Sequence, residues 1–249
     1  MKKILTLSLL LIFSINSFSQ SKEDCLSNLS IFAEYAKVKN YDAAYEPWLE
    51  VKSQCPKLNI AIYVYGERLL KSFIKKSEGN KRDEYQEDLL DLYDEWLKHF
   101  SKSKSGKNET GKILAIKAQT MIDYKLADNE TIYDVYDMAF TNDPQSFKSP
   151  KGLYNYFKIY FGLYKENNSN VSLEKLFEKY EELTEKFEFE MEAYTSKLDL
   201  LLKKEKNNDP ISARELRNKK VYEVNMVACD TYLSNLNAIV AKESTCENL

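Results

Sequence analysis

Few side chains in this sequence have the type and spacing that catalysis requires. The single histidine, His99, follows an apolar stretch that ends a predicted helix, where we expect it to be a cation favoured by the helix dipole. A serine–histidine hydrolase would need a strand-to-helix elbow of the G-x-S-x-G type, and the sequence has no such motif. It also lacks a P-loop and a G-x-G-x-x-G fingerprint. We therefore expect no catalytic residues and no cofactor, and predict that the protein is not an enzyme.

The acidic side chains are numerous, but their spacing is typical of a solvated helix face. Glu181 and Glu185, and likewise Glu188 and Glu192, stand four residues apart on the outer face of an amphipathic stretch. Glycoside hydrolysis would instead need two carboxyl groups that face each other across a cleft. The four cysteines form no C-x-x-C pair and are remote from the histidine, so we expect no metal site.

The composition favours a helical binding protein. The chain has 249 residues, with only 6 Gly and 5 Pro to form tight turns, which makes a β-sandwich or barrel improbable on composition. Aromatic residues make up 13%, enough to build a core rather than a disordered chain. The 36 basic and 39 acidic side chains are nearly balanced and give no reason to expect a nucleic-acid partner.

Residues 1–19 are typical of a secretory signal peptide. A basic start is followed by ten apolar or small residues, Ile4 to Phe13, and by a small-x-small cleavage site before Gln20. Ten residues are too few to cross a bilayer, which takes about 20. We therefore predict an exported protein without a membrane span, in the periplasm or on the outer surface of a Gram-negative bacterium. The leader resembles those of Bacteroidetes.

Helix-breaking residues divide the remaining chain into about nine amphipathic helices. Helix starts are predicted at Ser149-Pro150, at Ser172 and at the capping box Ser212-x-x-Glu215. The last two helices are long, and Asn207 to Pro210 separates them, which predicts an antiparallel hairpin; an intermolecular coiled coil is the second interpretation. Apolar residues recur along the first of these helices at Leu173, Tyr180, Phe187, Tyr194 and Leu201, and along the second at Leu216, Val221, Val224, Ala228, Tyr232, Leu236 and Ile239.

Helix ends also suggest one disulfide. Four cysteines allow three pairings, and export permits disulfides to form. Cys25 starts the first predicted helix and Cys55 ends the second, and these ends meet in an antiparallel pair. We therefore predict a Cys25–Cys55 bond. For Cys229 and Cys246 the pairing stays open, because Cys246 would have to turn back sharply.

Two stretches resemble tetratricopeptide repeats. The first stretch has a small residue, an aromatic residue, a further small or apolar residue and a proline, separated by steps of four, three and five residues, at Ala44, Trp48, Val51 and Pro56. The second stretch repeats these steps at Ile132, Tyr136, Ala139 and Pro144. Ile31 and Tyr35 fall on the Leu and Tyr positions of the family's first helix. A generic helical bundle is the alternative. The resemblance implies an all-α, tetratricopeptide-like solenoid over residues 20–165, followed by the long hairpin and the start of a possible further repeat over residues 166–249.

A solenoid of this kind presents a curved surface to a polypeptide, so we predict a protein-binding scaffold or adaptor of the cell envelope. We expect its groove on the first helices of the pairs, at five aromatic residues, Tyr63, Tyr65, Tyr154, Tyr156 and Tyr160. If these tyrosines belong to the core instead, the long hairpin is the next candidate for the binding surface. A carbohydrate-binding protein or an enzyme with an aromatic groove is the alternative function. The final residues, Cys246 to Leu249, echo Cys25 to Leu29, which predicts a fragment or a shortened relative of a longer array.

Overall fold

The chain folds into α-helices joined by short turns. The computed structural model describes residues 22–166 and 171–244, and within these ranges the predicted all-α class is confirmed. The predicted signal peptide and the segment Cys246 to Leu249 lie outside them. Contacts between helices divide the chain into two units, Met1–Lys107 and Asn108–Leu249.

Within residues 22–107, the described part of the first unit, four helices pack in sequence order. They are α1 (22–37), α2 (Tyr41–Gln54), α3 (Ala61–Lys76) and α4 (Gly79–Phe100). Helix α2 packs on α3, and α3 packs on α4. Asn40, whose side chain accepts a hydrogen bond from the backbone N–H of Ala43, caps the start of α2.

A disulfide joins the outer ends of α1 and α2. The Sγ atoms of Cys25 and Cys55, the pair that the sequence predicts, are bonded, and the Cα atoms are 6.2 Å apart. The side-chain amide of Asn28 also donates to Glu50, so the two helices are tied together along their length. The bond closes a loop of the chain that spans a sequence separation of 30 residues.

The residues that carry the tetratricopeptide resemblance are mostly in the core. Ala44, Trp48 and Val51 in the first unit are buried, and so are Ile132, Tyr136 and Ala139 in the second. Ile31 and Tyr35 differ, because they are 42% and 40% exposed. Helix α1 instead buries a neighbouring face, with Cys25, Phe32 and Ala36 in the core. The expected family positions on α1 are therefore rotated away from the core.

Five further helices belong to the part of the second unit that the structure describes, residues 108–166 and 171–244. They are α5 (Thr110–Tyr124), α6 (Asn129–Asn142), α7 (Pro150–Lys165), α8 (Leu173–Lys206) and α9 (Ala213–Glu243). The predicted caps are present: Ser149 caps α7 with Pro150 at its start, Ser172 caps α8, and Ser212 and Glu215 form the capping box of α9.

The last two helices form the predicted antiparallel hairpin. The apolar residues of α8 that recur every seven positions face inward, and Phe187, Tyr194 and Leu201 are buried. Helix α7 packs on both α8 and α9. The division of the chain therefore falls after Lys107 and places α5 to α7 with the hairpin, rather than between residues 165 and 166.

Candidate functional site

Three of the five tyrosines predicted to line a groove are in the core. Tyr63 and Tyr156 have no exposed surface and Tyr160 is 7% exposed, so none of the three is available to a partner. The sequence shows that α3 and α7 are rich in aromatic residues. It does not show that neighbouring helices cover these three tyrosines. The prediction of a partner-binding surface at these three residues is therefore wrong.

Tyr156 is held by a polar network that joins α6, α7 and α8. Its hydroxyl donates to Asp137, whose carboxylate also accepts from Tyr133 at 3.2 Å. The ammonium group of Lys179 lies 2.9 Å from the Tyr156 oxygen and 4.9 Å from the ring centroid. Burial raises the pKa of the Tyr156 hydroxyl well above its ordinary value, and the hydrogen bond to Asp137 adds to this rise. The hydroxyl stays protonated and supports the packing of the three helices.

Tyr65 and Tyr154 are the two predicted tyrosines that keep partial exposure. Tyr65 belongs to the first unit, where it meets Phe32 edge-on with ring centroids 6.2 Å apart. Tyr154 belongs to the second unit and stacks on Tyr232 at 5.1 Å. Each ring therefore already uses much of its surface on an aromatic neighbour of its own unit.

His99 is not the expected cation. Burial lowers the pKa of its imidazole below the ordinary value, and the nearby Lys57 and Lys98 lower it further. The ring is also partly enclosed, with centroids of His99 and Tyr63 6.4 Å apart. These surroundings disfavour the charged form of the imidazole, and the ring packs beside Tyr63 at the end of α4.

One buried ion pair was not recognisable from the sequence. Lys186 and Glu190 stand one helical turn apart on α8 and are both almost fully buried, and Lys148 lies 3.7 Å from the same carboxylate. The free thiol of Cys229 lies in this region; burial and the Glu190 charge raise its pKa to about 11. In sequence the pair looks like an ordinary surface i, i+4 pair. Among the described residues no group of three or more His, Cys, Asp or Glu side chains is placed so that it could hold a metal ion.

Most of the exposed large apolar side chains of the second unit, six of eight among the described residues, lie on the part of the hairpin nearest its turn. We define the hairpin tip as residues 195–228, the last three turns of α8 and the first four of α9 with the turn between them. Six large apolar side chains of the tip are between 48% and 67% exposed, namely Leu200, Leu202, Leu216, Val221, Val224 and Val227. Such a concentration on one element indicates an interaction surface.

The exposure on α9 follows from its spacing. Leu216 and Val221 are five residues apart, a rotation of about 140° that places them on different faces of the helix. The face that α9 turns to its neighbours carries Cys229, Leu236 and Val240, which are buried. The expectation of one apolar stripe from Leu216 to Ile239 is therefore wrong for its first three members. The five-residue step was the signal that could have shown this.

Two clefts lie on the tip. The first, of about 470 Å³, runs between α8 and α9 and is lined by Lys197, Leu200, Leu201, Lys204, Glu215, Asn218 and Tyr222. The second, of about 480 Å³, lies on α9 and is lined by Arg217, Lys220, Val221, Val224 and Asn225. The two clefts use different faces of α9, because Tyr222 of the first and Val224 of the second are two residues apart, a rotation of about 200°. We call the second cleft the tip groove.

The tip is basic in an otherwise acidic chain. Residues 195–228 contain eight Lys or Arg and five Asp or Glu, whereas the remaining residues contain 28 and 34. Lys204 pairs with Glu215 at 2.6 Å and Lys219 with Glu205 at 2.7 Å. The bonds from Lys204 and Ser212 lower the pKa of the Glu215 carboxyl to about 2.

Arg217 and Lys220 differ from these paired residues. Both line the tip groove, both are exposed, and neither forms an ion pair with any described residue. Lys197 lies over the Tyr222 ring at 5.4 Å, and both residues line the first cleft rather than the tip groove. The groove therefore combines apolar walls with unneutralised positive charge.

The two clefts are lined by apolar side chains and by a few polar ones. The polar lining residues are three lysines, an arginine, two asparagines, a tyrosine and the paired carboxylate of Glu215. No helix of the described residues is long and apolar enough to cross a membrane. No protein-family model matches the chain, and no curated protein or solved structure is significantly similar to it.

Proposed function

We propose that this protein is an exported, non-catalytic scaffold of the bacterial cell envelope, and that it binds a polypeptide partner through the hairpin tip. The observation that carries the proposal is the set of exposed apolar side chains at the tip, including Leu200, Val224 and Val227. Burying a single valine or leucine stabilises a complex by about 1.5–3 kcal/mol, so leaving six of them in water is costly unless a partner covers them.

Export is supported by the predicted leader and by the Cys25–Cys55 disulfide. Disulfides persist in the periplasm and at cell surfaces and are rare in reducing compartments. The proposed tetratricopeptide-like character is supported by the buried Ala44, Trp48 and Val51, whose spacing that family shares. Helical-repeat proteins commonly bind polypeptides through extended surfaces without catalytic residues.

Affinity capture from an envelope fraction of the source cells tests the proposal. The bait is the mature chain, compared with a Leu200→Asp/Val224→Asp variant of the tip and with Val38→Asp as the matched control. Val38 is 72% exposed in the first unit, so its substitution adds the same kind of charge at an exposed position outside the hairpin. We expect a protein that both the wild type and the Val38 variant retain and that the tip variant loses. Equal capture by all three would reject the tip as the binding element.

A further inference from the structure

Helix α9 carries a row of valines that its own unit leaves in water. At about 100° of rotation per residue, Val221 and Val227 lie about 60° to either side of Val224, and the three side chains are between 53% and 67% exposed. Tyr222, which lines the first cleft, lies about 160° from Val224, on the opposite side of the helix. We call the surface centred on Val224, over residues 217–231, the valine face.

The helices that pack on α9 occupy its other sides. Its buried residues Cys229 and Leu236 lie about 140° and 120° from Val224 around the helix. Helix α7 contacts α9 at Tyr232, which stacks on Tyr154 at 5.1 Å and lies about 80° from Val224. The valine face is therefore open to a further helix, opposite the core and beside α7.

The order of residues on the valine face matches its own reverse. When two identical helices pack antiparallel about a two-fold axis, each residue lies level with the residue of the other helix that is equally far from the axis. With the axis at Val224, Val221 of one copy lies level with Val227 of the other, and the two Val224 side chains meet. Six exposed valines, three from each copy, then cover one another.

Beyond the valines, long side chains of one copy meet short ones of the other. Arg217 lies level with Thr231 of the second copy and Lys220 with Ala228, and all four lie within about 40° of the centre of the valine face. The Thr231 hydroxyl already donates to the carbonyl oxygen of Val227 at 2.8 Å, so it brings no unpaired donor into the contact. The valine face is therefore complementary to itself in side-chain size as well as in hydrophobicity.

The charges of the valine face favour the antiparallel arrangement over a parallel one. The exposed Arg217 and Lys220 precede the valines, whereas the exposed carboxylate of Asp230 follows them. In an antiparallel pair, Lys220 of one copy lies two residues, about 3 Å along the axis, from the level of Asp230 of the other. Both side chains lie on the Val227 side of the face, and the two-fold axis repeats this contact between opposite charges. A parallel pair would instead place the two Lys220 side chains next to each other.

We propose that two copies of this chain associate through the valine face, with their α9 helices antiparallel about a two-fold axis at Val224. The inference rests on the function proposed above and identifies the polypeptide partner as a second copy. The contact extends over residues 217–231, about 21 Å of helix, which is short for a permanent dimer. We therefore expect a reversible dimer that dissociates in the micromolar range.

Sedimentation equilibrium of the mature chain tests this inference. Between about 1 and 500 µM the data should fit a reversible monomer–dimer equilibrium. Val224→Asp places two carboxylates together at the two-fold axis and should weaken the dimer about tenfold or more. Leu202→Asp is the matched control, because Leu202 is 48% exposed at the tip but belongs to α8, and it should leave the dimer affinity unchanged. Circular dichroism checks that each variant is folded.

Two charge reversals test the antiparallel register. Lys220→Glu places a carboxylate against Asp230 of the second copy, and Asp230→Lys places an ammonium group against Lys220, so each variant alone should dimerise about tenfold more weakly at low salt. An equimolar mixture of the two variants should recover the affinity of the wild type, because both contacts between these positions then join opposite charges. Lys203→Glu, the same change at an exposed residue of α8, should have no effect.

Four results would overturn the inference. One is a chain that stays monomeric over this concentration range, and another is equal weakening by Val224→Asp and Leu202→Asp. A third is a mixture of the two charge variants that dimerises no better than either alone. The fourth is a monomer that binds phosphatidylglycerol vesicles through Val224, which would make the valine face a membrane contact.

The outcome also separates this inference from the proposed function. If the chain is monomeric while envelope capture still depends on the tip, another protein occupies the valine face and only the dimer inference falls. If capture is also independent of the tip, the proposed function falls with it.

Discussion

Replacing Gly66 with alanine should destabilise the first unit, because a methyl group at this position has no room. Gly66 lies in α3 opposite the Trp48 indole of α2. A Cβ atom added at Gly66 would come within 2.6 Å of Trp48 Nε1 and 3.0 Å of its Cε2. The indole cannot easily move, because it is 1% exposed and its N–H donates to the carbonyl oxygen of Ile62 at 3.0 Å.

The magnitude follows from three opposing effects. Alanine is favoured over glycine in a helix interior by about 1 kcal/mol. Against this, forcing an extra methyl group into a packed core costs about 1–3 kcal/mol. Displacing the indole also weakens a buried hydrogen bond worth about 1 kcal/mol. The two costs exceed the gain, and we expect Gly66→Ala to lower the free energy of unfolding by about 1–3 kcal/mol.

Urea unfolding followed by tryptophan fluorescence measures this directly. Both tryptophans of the chain, Trp48 and Trp96, are in the first unit and therefore report on it. Gly162→Ala in α7 is the matched control, because the nearest atom to its added Cβ is Asn129 Nδ2 at 3.5 Å, an ordinary contact. By circular dichroism this variant should be unchanged or slightly more stable.

A double-mutant cycle identifies the cause. In a Trp48→Phe background the indole N–H is absent, so Gly66→Ala should cost less than it does in the wild type. If Gly66→Ala is as stable as the wild type, or if its cost is the same in both backgrounds, the close approach of Gly66 and Trp48 is not what limits this position.

Three further predictions concern other local features. Cys25→Ser, or reduction of the wild type, should lower the free energy of unfolding of the first unit by about 3–4 kcal/mol, because the bond restricts the unfolded chain over a sequence separation of 30 residues. Urea unfolding that is unchanged after reduction would contradict this prediction. Asp143→Ala should lower the free energy of unfolding, measured by thermal unfolding, by about 1–3 kcal/mol, because this buried carboxylate accepts from the backbone N–H of Gly111 and from the backbone N–H and hydroxyl of Ser146. A variant as stable as the wild type would show that these donors find other acceptors. The Glu215 carboxyl should titrate near pH 2 by NMR, below its ordinary value of 4.5, so its contribution to the stability of the fold is present above about pH 4.5 and is lost as the pH falls towards 2. Glu215→Gln should remove this part of the pH dependence of stability. A titration midpoint near 4.5 would refute the prediction.

Local signals predicted local structure well. The caps at Ser149, Ser172 and Ser212 follow from side chains that bond to backbone a few residues away, so no knowledge of the fold is needed to find them. The Cys25–Cys55 pair required one further step, the antiparallel arrangement of two consecutive helices. Both kinds of inference depend on near neighbours in sequence.

The candidate site was harder to predict because exposure depends on the packing of several helices. Tyr156 and Tyr160 have the residue type of an interface, but α6 and α8 cover them, and nothing in the sequence of α7 specifies this. Conversely, Val221 and Val224 have the residue type of a core and lie in water. Only the five-residue step before Val221 indicated that α9 carries apolar residues on more than one face.

The central claim is that the protein is a scaffold whose hairpin tip binds another protein. Site-specific photo-cross-linking in intact source cells tests this claim most directly. A photoreactive phenylalanine analogue replaces Val224, which lines the tip groove and is 59% exposed, and in a parallel strain it replaces Val38 on the first unit. The account predicts one dominant protein adduct from position 224 that position 38 does not give. No protein adduct from position 224, in a chain that is exported and folded, would contradict it.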